Sequence, residues 1–102
     1  MAKALAKREK EPTLSAAYDS TADVLYVALG EPIAAEGTLV DGVIYRYASG
    51  HKERPCGATV IGYLEDHWDS KLNDLAQLIA RHLRVHPEDV TRAIRIGVRE
   101  AA

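Results

Sequence analysis

At Asp69-Ser70 the hydrophobic pattern of the chain changes period, and this change constrains the fold more than any other feature of the sequence. Before it, apolar residues run together or alternate, as in strands: Val24 to Leu29 is apolar at almost every position, and Val43, Tyr45 and Tyr47 alternate with Ile44 and Arg46. After it, Leu72, Leu75, Ala76, Ile79 and Leu83 recur at i, i+3, i+4, i+7 and i+11, one helical stripe suited to covering a sheet. Strands followed by helices predict an α+β fold: a small antiparallel β-meander of about four strands with two C-terminal helices packed on it.

The 102 residues suffice for one domain and one core. Residues 1–12 read as a flexible basic arm closed by Pro12, and 13–102 as a single α+β domain with its sheet over 14–66 and helices over 70–84 and 87–100. Phe is absent, so the apolar content leans on Ala, Val, Leu and Ile, which fill a thin core rather than a roomy cavity. The lone Cys56 has no disulfide partner within the chain, and residues 1–12 lack the apolar run of a secretory signal. With no stretch near the ~18 apolar residues of a membrane helix, the expected location is cytoplasmic, with no membrane association.

Charge divides along the chain. Residues 1–11 hold four basic against two acidic side chains, 12–70 three against nine, and 71–102 six against four. An acidic middle therefore lies between basic ends.

In order, Leu14 to Tyr18 reads as a first strand and Asp19-Ser20-Thr21-Ala22 as a turn, since Asp and Ser side chains bond back to nearby amides. Val24 to Leu29 is expected as the central strand, covered on both faces. Residues 30–37 read as a loop with at most a short edge pairing, Thr38 to Tyr47 as a third strand with a turn or bulge at Asp41-Gly42, and 49–57 as a polar loop. Ala58 to Leu64 completes the sheet, with Gly62 marking a close approach or bulge. Asp69 or Ser70 would cap the first helix. Pro87 suits the opening of the second, with Glu88 and Asp89 at its positive end and Val85 and Val90 as a staple. Val90, Ala93, Ile94, Gly97 and Val98 form its apolar face.

Two resemblances add to this reading. Tyr18-Asp19-x-x-x-Asp23-x-Leu25-Tyr26, followed by Gly42-Val43-Ile44 and Ile61-Gly62-Tyr63-Leu64, resembles the small bacterial family known as domain of unknown function 2283, over roughly residues 15–66. The resemblance implies a short β-meander whose turn and strand rest on Tyr18, Asp19, Asp23, Leu25, Tyr26 and Gly62. It names no activity, but it implies an antitoxin-like role beside a small toxin. The chain departs from that pattern in a longer, more charged segment at 49–57 and in its helical tail.

The second is similar to the helix-turn-helix of repressors and spans Ile79 to Arg95, with Val85 in the turn and Val90-Thr91-Arg92 opening the second helix. Arg84 stands where that pattern has the Gly that enters the left-handed region, and the usual third helix is absent unless the sheet or a dimer partner replaces it. Thr91, Arg92, Arg95 and Arg99 are the candidate nucleic-acid contacts, because three arginines at i, i+3 and i+7 make one basic stripe. A solvated face with a Glu88–Arg92 pair is the structural alternative.

No motif predicts a catalytic residue, metal or cofactor. Asp19 and Asp23 could pair for acid/base work, but turn bonding explains them locally. His51, Cys56, His67, His82 and His86 lack the spacing of a zinc site. The tyrosines at 18, 26, 45, 47 and 63 and Trp68 read as cross-strand packing rather than a platform for bases. The expected function is thus a non-catalytic regulatory module, a homodimer binding a small basic, toxin-like protein through an acidic sheet surface. The alternatives are a DNA-binding regulator and a small enzyme built on Asp19 and Asp23.

Overall fold

The computed structural model describes residues 13–31 and 33–101, and the arm expected over 1–12 lies outside them. Five strands, β1 (Leu14–Asp19), β2 (Val24–Leu29), β3 (Ala35–Val40), β4 (Val43–Ala48) and β5 (His51–Ile61), form one antiparallel sheet in the order β1-β2-β5-β4-β3. A 3-10 turn at Trp68–Lys71 leads into α1 (Leu72–Leu83), and α2 (Pro87–Ala101) follows. Both helices lie on one face of the sheet, an α+β fold.

The sheet has five strands where about four were expected. Ala35 to Gly37 belongs to β3, and the polar stretch 49–57 is largely the first half of β5. Both segments lie beyond the helices and are solvated, so neither shows the apolar alternation that reveals a half-buried strand. The central strand is β5, bonded to β2 on one side and β4 on the other, and not β2. β2 is covered on one face only: Leu25 and Val27 are buried while Tyr26 between them is 46% exposed. Asp41 (φ 52°) and Gly42 (φ 86°) are both left-handed and join β3 to β4 as a two-residue hairpin.

Leu25, Val27, Val43, Ala58 and Val60 line the covered face and meet Leu75, Ala76, Ile79, Leu83, Val90 and Ile94 from the helices. Neither Asp69 nor Ser70 caps α1. Ser70 Oγ donates to the His67 carbonyl at 2.9 Å, and the 3-10 turn feeds the helix without a side-chain cap bond. At the other end Arg84 adopts the left-handed conformation (φ 61°, ψ 46°), and the N–H groups of Arg84 and Val85 both reach the Ala80 carbonyl. The tight turn therefore forms with Arg in the glycine position. β1 underlies α2 at Gly97, where an added Cβ would stand 2.5 Å from the Ala16 carbonyl oxygen.

Candidate functional site

The Tyr18–Tyr26 motif forms a clamp between the two ends of the sheet sequence. Asp19 Oδ1 accepts the N–H groups of Thr21 and Ala22 at 3.0 and 3.2 Å, which shapes the β1–β2 turn. Asp23, left-handed at φ 57°, reaches out of that turn. Its Oδ1 accepts the Tyr18 hydroxyl at 2.7 Å and the Leu64 N–H at 2.8 Å, and its Oδ2 accepts the Glu65 N–H at 3.0 Å. Its carbonyl accepts from Gly62 and Tyr63 at 2.9 and 3.2 Å. Both ends of one residue thus hold the segment that leaves β5 for the helices. Gly62 is left-handed (φ 72°), and the Asp66 carboxylate lies 3.1 Å from where its Cβ would stand. Leu25 is buried in the core, and the Tyr18 ring rests 5.5 Å from that of Tyr63.

These contacts set the acid–base behaviour of the pair. The Leu64 N–H first, then the Tyr18 hydroxyl and the Glu65 N–H, hold the Asp23 carboxyl below its ordinary range. The bond to Asp23, reinforced by burial and by the carboxylate's charge, pushes the Tyr18 hydroxyl up to about 12. Because Asp23 is the stronger acid when folded, its stabilisation is complete above the ordinary carboxylate value of about 3.9 and is lost as pH falls through its lower folded value. Tyr18 is the weaker acid when folded, so its contribution is complete below the ordinary tyrosine value of about 10 and is lost as pH rises through the folded value. Thermal melts of the wild type and Asp23→Asn should therefore converge as the pH drops below about 4. A gap that stays constant across that range would show that the carboxylate's charge carries none of the difference.

The face of the sheet opposite the helices is open. Tyr26 from β2, Ile61 from β5, Ile44 and Arg46 from β4 and Leu39 from β3 lie on it, and Ile33 reaches it from the β2–β3 connection. Leu39 is 61% exposed, and Ile33 and Ile61 are each nearly half exposed. At its centre Arg46 Nε donates to Thr59 Oγ1 at 2.8 Å, bordering a hollow of about 310 Å³ walled by Tyr26, Ala28, Ile33 and Gly57. This bond ties the Arg46 side chain of β4 to β5. Among the acidic residues, Glu31 borders the hollow, and most of the others lie away from it. Asp19, Asp23, Asp41, Glu65 and Asp66 gather in the turns at one end of the sheet, where Ile61 is the last residue of β5. The Val43/Ile44 alternation read in the sequence was the signal for this face. Ile33 escapes it because residues 30–37 read as a loop, and the local pattern around Leu39 and Ile61 gives no face.

A second surface lies on α2. Thr91, Arg92, Arg95 and Arg99 line one outward concavity of about 630 Å³ with Asn73 of α1 and Glu88. The buried residues Val90, Ile94 and Gly97 occupy the other side of the helix. Arg92 pairs with Asp89 at 3.4 Å rather than with Glu88, a solvated contact that constrains it little. Arg95 and Arg99 make no ion pair among the described residues.

The remaining candidates are dispersed. Among the described residues no three His, Cys, Asp or Glu side chains gather as metal ligands would. His82 Nε2 faces the Arg46 carbonyl at 3.0 Å between the Tyr45 and Tyr47 rings, so it must carry the proton there, and it ties α1 to the irregular end of β4. Among the described residues, Tyr26 is the aromatic side chain that stands on the open face, while Tyr18 packs on Tyr63 and Tyr45 and Tyr47 pack on His82. No helix among the described residues is long and apolar enough to cross a membrane. No protein-family model, curated protein or solved structure matches the chain.

Proposed function

We propose that this protein is a non-catalytic cytoplasmic interaction module, antitoxin-like, that takes a protein partner on the open face of its sheet. The observation that carries the reading is that face itself: Tyr26, Ile33, Leu39, Ile44 and Ile61 lie on the side of the sheet opposite the helices, which pack against its other face. Exposed apolar side chains gathered on one face are characteristic of protein docking sites. The acidic turns border it at the Ile61 end, so the complementary partner is apolar where it meets Tyr26, Leu39 and Ile61 and basic beside the turns, and the charges would speed encounter more than strengthen the complex. The carboxylates of Asp19 and Asp23 are already engaged by backbone N–H groups, which favours this reading over one that gives them acid/base chemistry. Immobilised protein should capture a small basic protein from an extract of its native host, and Ile61→Lys should lose that protein by at least about tenfold, a charge on an apolar contact being costly to bury. Equal capture by Ile61→Lys would remove the open face from the interaction.

One observation favours a second reading, DNA binding through α1 and α2. Arg84 enters the left-handed region and closes the turn, and β1 supports α2 where a third helix would otherwise stand. The Arg stripe would then contact phosphates, with binding that weakens steeply as salt rises. In a mobility-shift titration at two salt concentrations, Arg95→Ala and Arg99→Ala should each reduce the salt slope by about 1. No shift by the wild type at low salt would dismiss this reading and leave the first untouched.

A further inference from the structure

The two edges of the sheet are treated differently, and the difference points to a second copy of this chain. On the β1 edge α2 comes so close that a Cβ at Gly97 would stand 2.5 Å from the Ala16 carbonyl oxygen and 3.2 Å from the Ala17 nitrogen. The β3 edge has no such cover: every residue from Glu36 to Val40 is exposed, and Leu39 and Val40 are 61% and 49% so. Solvated edges are normally blunted by Lys, Pro or bulges. The projecting half of β5 has that protection in Lys52, Glu53, Arg54 and Pro55, whereas β3 has neither Lys nor Pro. Its one charge, Glu36, bonds back to the Gly50 N–H at 3.0 Å.

The register of β3 fixes which backbone groups are free. Ser49 donates to the Ala34 carbonyl at 3.0 Å, so the even-numbered residues of this segment turn their N–H and C=O towards β4. Ala35, Gly37 and Leu39 turn theirs outward. We propose that these groups pair with β3 of a second copy, antiparallel about a two-fold axis at Gly37, joining two five-stranded sheets into one continuous sheet.

Charge and size select that register. Outward-facing residues must meet outward-facing residues, so the axis falls at residue 36, 37 or 38. An axis at 36 sets Glu36 directly against Glu36 of the second copy, a destabilising pair. An axis at 38 leaves Ala35 opposite the turn residue Asp41. An axis at 37 uses all three outward residues of each strand. It places the large Leu39 against the small Ala35 and Glu36 against Thr38, and the two glycines meet at the axis. The pairing leaves both open faces on the same side and does not depend on what they bind.

Sedimentation equilibrium of the full chain should give twice the chain mass, and Leu39→Lys, at an exposed position, should give the single mass with an unchanged circular dichroism spectrum. A wild type that stays monomeric at high concentration overturns the pairing. So does a Leu39→Lys variant that remains a folded dimer. The register is tested in a Cys56→Ser background: Glu36→Cys with Thr38→Cys should oxidise to a disulfide-linked dimer, because non-hydrogen-bonded pairs bring Cβ atoms close enough to bridge. Equally fast linkage by Glu36→Cys alone overturns the axis at Gly37.

Discussion

Gly97→Val is expected to lower the stability of the fold by about 3 kcal/mol and the Tm by about 15 °C. The reason lies in what the missing side chain would meet. A Cβ at position 97 would stand 2.5 Å from the Ala16 oxygen, 2.8 Å from its carbonyl carbon and 3.2 Å from the Ala17 nitrogen. These are backbone atoms of β1, which cannot rotate aside as a flexible side chain would. α2 must lift off the sheet, and Val90 and Ile94, both fully buried, would lose packing with it. Glycine within a helix costs about 1 kcal/mol relative to alanine, so Gly97→Ala tests the balance. The loss in that variant should be smaller than in Gly97→Val but still a loss. A Gly97→Ala protein that melts higher than the wild type would mean that propensity outweighs the contact and that α2 is free to move.

Asp23→Ala should be the second most damaging substitution, with a fall in Tm on the order of 10 °C. It removes the acceptor for Tyr18, Leu64 and Glu65 together. It also puts alanine at φ 57°, a region that Asp and Asn enter more readily. Asp23→Gly separates the two causes, since glycine relaxes the backbone but loses the same bonds. If the account of the clamp is right, Asp23→Gly recovers only part of the deficit. Full recovery would assign the position to backbone geometry and leave the carboxylate without a structural role.

The parts of this fold that bury one face were legible in the sequence. The switch of period at Asp69, the stripe from Leu72 to Leu83, Pro87 at the start of the last helix and the Asp41-Gly42 turn all have local causes, and each stands close to where those causes place it. The parts that touch water on both sides were not. β3 and the first half of β5 are ordered by neighbouring strands rather than by a buried face, so Ala35 to Gly37 and His51 to Pro55 carry no alternation to detect. For the same reason β5, whose first half carries no strand signal of its own, does not stand out in the sequence as the central strand. The clamp shows a different limit. The spacing of Tyr18, Asp19 and Asp23 singled out the turn, but Asp23 binds residues 41 and 42 positions further along the chain, a partnership that no local pattern encodes. The cap of α1 failed because the Ser70 hydroxyl has a nearer acceptor in the turn before it.

The proposal that the open face, and not the arginine helix, takes the partner is most directly tested with the isoleucine methyl groups. The six isoleucines sample the relevant surfaces: Ile33, Ile44 and Ile61 on the open face, Ile79 and Ile94 in the core, and Ile96 on the outside of α2. A methyl NMR titration with the protein captured from the native host should shift or broaden Ile33, Ile44 and Ile61 while leaving Ile96 unmoved. Perturbation of Ile96 with the other three unchanged would place the interface on the arginine helix and contradict the account.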